Sequence, residues 1–566
     1  MAKEVFMPKA GMDMQEGTII SWLVEVGDQV KAGEPLLEIE TDKVTMEVES
    51  PSDGTLLVRY FEAGAVVPVV TIIGYVGEPG EKVPDGPAMA GGSARAGDEK
   101  MLMEQSSRDP EKTYEYRLAV IGAGSAGIRA ALKAAALGQR VILFEAGTVG
   151  GCNIVRGGVP MKTYMQTAAD LDEISRARGR GLRLNGEISF DLAELRSYKD
   201  EIVEKLSQDT RKRMRDAGVE LVIGEAEMIG RHHIRAGQKT YRAENTILCT
   251  GSFSSRLQAD GVEQPEIVTP EEMFELSEVP EKLVIIGGGV IGCEMATAWN
   301  LFGSEVTVIE MQDHLLPTFD TEVTDAVAES MRERGIRIVT GGKVARFDRR
   351  NNKPVLVLAD GSEYPADIIL TAVGRKPNLS PLGVLKDRID YERGKIMVDE
   401  YCRTNLDGIY ACGDVTNQSI LAHSAMKMGE AAASTACGRP KEVHLNRAPL
   451  NLYTIPEAAG IGLTEAQAAK NGDIMIGRCP LALNERGITS GRTEGFVKVI
   501  ADKGYGEILG VHIFGGTATE MIVEAKTMMD MEITVYEVKD IMHAHPTWSE
   551  AFMEACADAV GERLIR

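Results

Sequence analysis

Two glycine clusters in this chain are spaced to hold a dinucleotide. The first, Gly122-x-Gly124-x-x-Gly127, follows an apolar run from Leu118 to Ile121 and opens an alanine-rich helical pattern; a second apolar run, Val141 to Phe144, ends in Glu145. That order supplies a strand, a tight turn, a helix N-terminus for a pyrophosphate and an acid for ribose hydroxyls. Gly287-x-Gly289-x-x-Gly292 repeats the whole unit and ends its second strand in Glu310. Two dinucleotides must then be brought face to face, and the pair that exchanges a hydride is a flavin and a nicotinamide. FAD is expected on the first unit and NAD(H) on the second. Glu310 would accept from the adenosine ribose and repel a 2'-phosphate, and the following MQDHLLP carries no Lys or Arg, so NAD(H) is expected over NADP(H). Thr250-Gly251, after AENTILC, closes the first domain near its nucleotide, and the strand ADIILTAV runs into the turn at Gly374. Asp414 in YACGD follows a strand and a glycine and suits the ribityl or pyrophosphate side of FAD.

The elements that must position these residues are legible around them. With 566 residues and about 150 per domain, three or four domains are expected. Residues 1–77 alternate short strand-like runs with Gly and Asp turns and read as a small β domain. Residues 78–113, rich in Gly, Pro, Ala and charge, read as a flexible linker. The first nucleotide domain takes residues 114–262, the second 263–385, and 386–445 return to the first. Residues 446–566 mix strands and helices, carry nothing nucleotide-like and read as an interface domain. Residues 191–218 form a charged amphipathic helix. The formal net charge of −23 disfavours nucleic acid or an anionic membrane as a partner. No run approaches the roughly 20 apolar residues of a membrane span, the start lacks a secretory apolar region, and eight scattered cysteines suit a reducing compartment, so a cytoplasmic location is expected. Cysteines 249, 293, 402, 412, 437, 479 and 556 show no CxxC spacing and read as buried thiols; no metal site is expected, and His232 and His233 carry no functional signal.

On these motifs the chain resembles two known families. The stretch E-I-E-T-D-K-V-T-M-E-V-E resembles the turn of lipoyl domains from 2-oxo acid and acetoin dehydrogenase systems, which implies lipoate carried covalently on Lys43 by a lipoate-attachment enzyme. Residues 116–566 resemble the flavin disulfide reductases, in particular dihydrolipoamide dehydrogenases, through both fingerprints, VGRKPN, YACGD and the terminal HAHPTWSE. The resemblance implies an α/β fold, with two Rossmann-like three-layer nucleotide-binding domains and an α+β dimerisation domain behind a small all-β lipoyl domain of the barrel-sandwich hybrid type. It also implies a homodimer in which His545, held by Glu550, enters the other subunit's active site as acid–base, and a Lys162–Glu294 pair beside the flavin.

One departure outweighs these matches. The family's redox disulfide comes from G-G-x-C-x-x-x-x-C-x-P-x-K, whereas this sequence reads G-G-C-N-I-V-R-G-G-V-P-M-K. Aligned without a gap up to Lys162, the two cysteine positions hold Asn153 and Gly158, and Cys152 lies one position early. Three readings follow. The chain acts with a lipoyl group by a modified route, the arm on Lys43 carrying its own dithiol into the space Gly158 opens. Alternatively, it transfers hydride directly between NADH and a non-disulfide small-molecule substrate, while the arm serves a lipoyl-dependent dehydrogenase or another multienzyme complex. In the third reading it is a non-catalytic lipoyl carrier or assembly subunit.

Overall fold

A computed structural model describes residues 2–8, 16–40, 45–69, 71–83, 114–177, 180–183, 186 and 188–563. The chain divides into two compact units, Met1–Lys112 and Thr113–Arg566. Lys43 lies outside the described residues, as does residue 84 onward of the segment expected to be a linker.

In the first unit two four-stranded antiparallel sheets face each other across one core. One runs in the order Lys3–Phe6, Ile72–Gly77, Gly54–Arg59, Gln29–Val30; the other in the order Thr45–Glu49, Pro35–Glu40, Glu16–Trp22, Val66–Pro68. Ile19, Leu37, Ile39, Leu56, Val67 and Val76 are buried between them, as period-two alternation requires. The strands that flank Lys43 in sequence, Pro35–Glu40 and Thr45–Glu49, pair antiparallel with Ile39 opposite Met46.

The second unit contains two nucleotide-binding sheets. In the first, Tyr116–Ile121 lies between Val141–Glu145 and Lys239–Leu248, all parallel, and Ile409–Ala411 returns to pair with Lys239–Leu248. This pairing brings Asp414, far along the chain, to the first glycine turn. The second sheet is five-stranded and parallel, with Lys282–Ile286 between Ile368–Thr371 and Glu305–Ile309. Strands buried on both faces read as unbroken apolar runs such as LAVI and LVII, which is why their shortness and the glycine turns that end them, rather than a period, locate them. Residues from 450 on build a five-stranded antiparallel sheet, covered by the helices Ala518–Asp530 and Glu550–Ala559.

One helix contact sets the geometry of the site. Helix Gly158–Ala177 buries Met161, Tyr164, Met165 and Ala168 in the same core as Met295 and Trp299 from helix Val290–Leu301 and Phe302, which caps it. Tyr164 meets Phe274 edge-on at 5.1 Å and leans on Trp299 at 6.4 Å. Each such side chain stabilises the packing by about 1.5–3 kcal/mol. The same contact carries Lys162 to Glu294.

Candidate active site

The first glycine turn is built so that backbone comes close to backbone. Gly122 has φ +103°, and a Cβ there would overlap the Cys249 carbonyl; a Cβ on Gly127 would overlap the Gly122 carbonyl. No residue but glycine allows helix and strand to approach this closely. Gly124 caps helix Ser125–Ala136, and nothing stands nearer to its missing Cβ than 3.8 Å, so the helix N-terminus lies open. Glu145 accepts from Ala123 N at 2.7 Å and from Gly147 N at 2.9 Å. The second turn repeats this construction: Gly287 meets Ala372, Gly292 meets Gly287, Gly289 is open, and Glu310 accepts from Gly288 N at 2.6 Å and Gln312 N at 2.8 Å.

A cavity of about 1330 Å³ runs from the first turn to the interface of the two nucleotide domains. Gly122, Gly124, Glu145, Gly251 and Asp414 line one part of it, and Cys152, Gly158, Lys162 and Glu294 another. Gly127 packs behind the wall, and Gly374 is not among the lining residues; its neighbour Arg375 reaches in instead. A chamber of this size, with a carboxylate beside the glycine turn, an open helix N-terminus and a half-buried ion pair, fits FAD.

Two residues without a sequence signal, Ser252 and Tyr453, complete the chamber together with Arg375 of the VGRKPN stretch and the expected Lys162–Glu294 pair. Ser252 donates to Asp414 Oδ2 at 2.6 Å, and Arg375 Nε donates to Ser252 Oγ at 2.8 Å. Lys162 Nζ donates to both oxygens of Glu294, at 2.9 and 2.8 Å. Tyr453 supports this pair twice: its backbone N–H donates to Glu294 at 3.1 Å, and its ring centroid stands 4.3 Å from Lys162 Nζ. Glu294 is 4 % exposed, and these donors supply the hydrogen bonds that burial takes from water.

The segment expected to carry sulfur chemistry is a single wide turn. Cys152–Arg156 is a π-helix in which Gly157 N–H reaches the Cys152 carbonyl at 2.8 Å. Gly158 does not open free space, as its lack of a side chain suggests. A Cβ there would overlap Asn153 Oδ1 and stand 2.8 Å from the Asn153 carbonyl oxygen, so Asn153 fills the position. Cys152 Sγ points elsewhere, 3.3 Å from where a Gly157 Cβ would sit. Burial pushes its thiol pKa up, against the pull of Arg375 and Arg156. Cys249, Cys293, Cys402, Cys412, Cys479 and Cys556 are buried, Cys437 is half-buried, and all eight cysteines are free. The described residues contain no cluster suited to a metal ion.

His545 sits at the other end of the unit. Its Nδ1 lies 2.8 Å from Glu550 Oε1, and Glu550 Oε2 accepts from Thr547 N at 2.7 Å. Glu485 approaches the outer Nε2 at 3.3 Å. The hydrogen bond to Glu550, then its charge, hold the imidazole pKa above the ordinary value. The side chain is 59 % exposed and is not among the residues lining its own chain's cavity. His543 is tied separately to Glu524 at 2.7 Å.

Known proteins with this architecture agree on its class. Residues 116–429 match the family described as pyridine nucleotide-disulphide oxidoreductase, residues 448–556 match that family's dimerisation domain, and residues 3–76 match the biotin/lipoyl family described as biotin-requiring enzyme. Dihydrolipoyl dehydrogenase from Bacillus subtilis (strain 168) is 34% identical over 452 residues, covering 78% of this chain and 98% of the relative. The dihydrolipoyl dehydrogenase of Thermus scotoductus is 35% identical, over 80% of this chain and 99% of its own. Among solved structures, LpdA from Mycobacterium tuberculosis superposes with a TM-score of 0.72 at 28% identity, over 78% of this chain and 98% of its own. The HOCl-induced flavoprotein disulfide reductase RclA from Escherichia coli gives 0.71 at 27%, over 78% and 99%. No helix among the described residues is long and apolar enough to cross a membrane. The chain belongs to the pyridine nucleotide-disulphide oxidoreductase family, as an FAD- and NAD(H)-dependent oxidoreductase of the dihydrolipoamide dehydrogenase type with a fused lipoyl-type domain and without the usual cysteine pair.

Proposed function

We propose that electrons cross this enzyme without a protein dithiol, and that the dithiolane of a lipoyl group on Lys43 itself reacts in the cavity. One observation carries the first part: the two cysteine positions hold Asn153 and Gly158, and the Asn153 carboxamide fills the space beside Gly158. The second part is supported by the E-T-D-K turn at Lys43, by the match of residues 3–76 and by relatives named dihydrolipoyl dehydrogenase.

FAD bound between the first turn and Glu294 would supply two-electron chemistry matched to NAD(H). In this reading Glu145 and Glu310 orient the two adenosine riboses, Asp414 is presented by Ser252 and Arg375, and Lys162 places a fixed positive charge at the inner end of the chamber. His545 acts from the second copy in a homodimer. Its Nδ1–H donates to Glu550, which leaves Nε2 to exchange the proton. Reducing a dithiolane breaks one S–S bond and makes two thiols with two electrons and two protons. NADH and a proton from His545, refilled from water, balance it. A lipoate-attachment enzyme would modify Lys43, and a lipoyl-dependent dehydrogenase or another multienzyme complex would exchange electrons with the arm.

A second reading is favoured by Asn153 itself, because a filled position narrows the entry for a dithiolane. There the substrate is small and not a disulfide. NADH oxidation with free lipoamide and with a quinone separates the two, run on lipoylated enzyme, Lys43→Ala and enzyme lacking residues 1–112. The lipoyl reading expects lipoamide turnover in all three and arm-dependent turnover only in the first. No lipoamide turnover, with equal quinone rates throughout, leaves the second reading. Peptide mass at Lys43 reports whether lipoate is attached.

A further inference from the structure

Among the described residues lining the cavity, Asn451 Oδ1 is the buried side-chain oxygen without a hydrogen-bond partner. Its Nδ2 has only a long contact, 3.5 Å, to the Tyr453 hydroxyl. A buried amide oxygen left bare costs about 1–3 kcal/mol and calls for a donor. Asn451 belongs to strand Leu450–Leu452, two residues before the tyrosine whose ring covers Lys162. The Tyr453 N–H reaches Glu294 at 3.1 Å, and Glu294 lines the same cavity with Val290, Ile291 and Met295, the opening turns of the helix that follows the second glycine turn. This part of the chamber therefore adjoins the second nucleotide-binding domain. Neither composition nor motif spacing singles Asn451 out, since an Asn between two leucines on a strand reads as a neutral surface position.

We infer that Asn451 Oδ1 accepts a hydrogen bond from the carboxamide NH₂ of nicotinamide and so sets both the orientation of the ring and the preference for a carboxamide-bearing cofactor. The required ligand chemistry is a planar amide-type N–H on a heteroaromatic ring. The flavin ring imide is the other source of such a donor, and the experiment separates them. An acetylpyridine ring keeps the carbonyl of nicotinamide and lacks the N–H, so it would leave Asn451 bare.

The test uses the full-length, FAD-loaded protein. Equilibrium titration with NAD+ and with 3-acetylpyridine adenine dinucleotide should favour NAD+ by about five- to tenfold, the weight of one hydrogen bond to a buried amide. Asn451→Leu, of similar volume, should bring the ratio to within about twofold by weakening NAD+ alone. Asn451→Asp keeps an acceptor oxygen and should keep the preference, which guards against a packing defect in the leucine variant. KM for NADH should rise in Asn451→Leu with a smaller change in kcat. The idea is overturned if the leucine variant discriminates as the wild type does. It is also overturned if FAD is lost on gel filtration while the NAD+ ratio holds, which assigns Asn451 to the flavin imide. Failure of NADH to reduce wild-type enzyme would instead strike at the hydride route itself.

Discussion

Gly158 and Asn153 form a matched pair, and the match has a stability consequence. Adding a Cβ at Gly158 forces the Asn153 carboxamide and its backbone to move, and overpacking of this kind costs about 1–3 kcal/mol. Gly158→Ala should lower the thermal midpoint and loosen FAD. Gly158→Cys alone should do the same, while Asn153→Cys combined with Gly158→Cys removes the clashing carboxamide and restores two sulfurs at the family spacing. The double variant should regain stability and consume two thiols in thiol titration of the oxidised protein; a double variant no more stable than Gly158→Cys would show that the backbone of residue 153, and not its carboxamide, is the obstacle. A second residue-scale prediction concerns His545. Its pKa is raised by Glu550 in the folded chain, so the associated stabilisation is fully present below about pH 6.5 and is lost as pH rises through the raised value. Glu550→Gln removes the carboxylate, so the limb of the pH–rate profile that needs protonated His545 should move to lower pH. An unmoved limb would assign the proton to another group. At this scale the sequence was informative where spacing is local: both glycine turns, Glu145 and Glu310 follow from one β-α-β pattern each. Tyr453, Ser252 and Arg375 come from separate segments, and only tertiary packing brings them to the chamber.

At the scale of elements, the strands and helices around the motifs follow from apolar runs and turn residues, whereas the π-turn at Cys152–Arg156 does not. Its wide turn arises where Gly151 at φ +58° and Gly157 flank five residues with no helix cap, a backbone state that no periodicity reports. The charged joint between the second nucleotide domain and the C-terminal sheet was equally hidden. Lys498 on strand Phe496–Asp502 is 2 % exposed, an unusual place for a lysine. Its Nζ donates to Asp320 at 2.8 Å and stands 2.7 Å from Glu465 and 3.1 Å from Glu322. Asp320 also caps helix Thr321–Glu333 and accepts from Glu465 N at 3.0 Å. Burial works to raise the Asp320 pKa, but the Lys498 bond and the Glu465 N–H outweigh it and leave it lowered; Glu322 is lowered likewise, with Arg478 as the strongest opposing donor. Lys498→Met should strand these carboxylates and destabilise the second unit by about 3–5 kcal/mol. Depressed carboxylates contribute stability above their unfolded pKa values, 3.8 and 4.5, and lose it as pH falls through the lower folded values. The difference between Lys498→Met and wild type in urea unfolding should therefore shrink as the buffer is taken from pH 7 toward pH 3. A constant difference would mean that Lys498 acts through packing alone.

For the whole molecule, domain order was legible because each nucleotide domain announces itself with its own turn, and the return segment with YACGD. The proposed division of labour between subunits is another matter, since a single chain places the His545–Glu550 pair away from its own chamber. His545 is exposed and absent from the cavity wall, while Lys162 and Glu294 are inside it. A C-terminal domain that matches a dimerisation family and carries His545 within its final turn-and-helix suits a twofold arrangement, in which each copy completes the other's site. That arrangement makes a prediction no single-site variant can make. His545→Gln leaves the chamber intact but removes the donor, and Glu294→Gln leaves the donor but strands Lys162, so each homodimer should be nearly inactive. In a heterodimer of the two, one chamber combines native Glu294 with native His545 and the other lacks both. Doubly tagged heterodimer, purified after co-expression, should therefore recover about half the wild-type rate of NADH oxidation per dimer. If His545 served its own chain, neither chamber would be complete, and the heterodimer would be as inactive as its parents. Loading with FAD should be equal in all three preparations, so that lost flavin cannot imitate a lost proton donor.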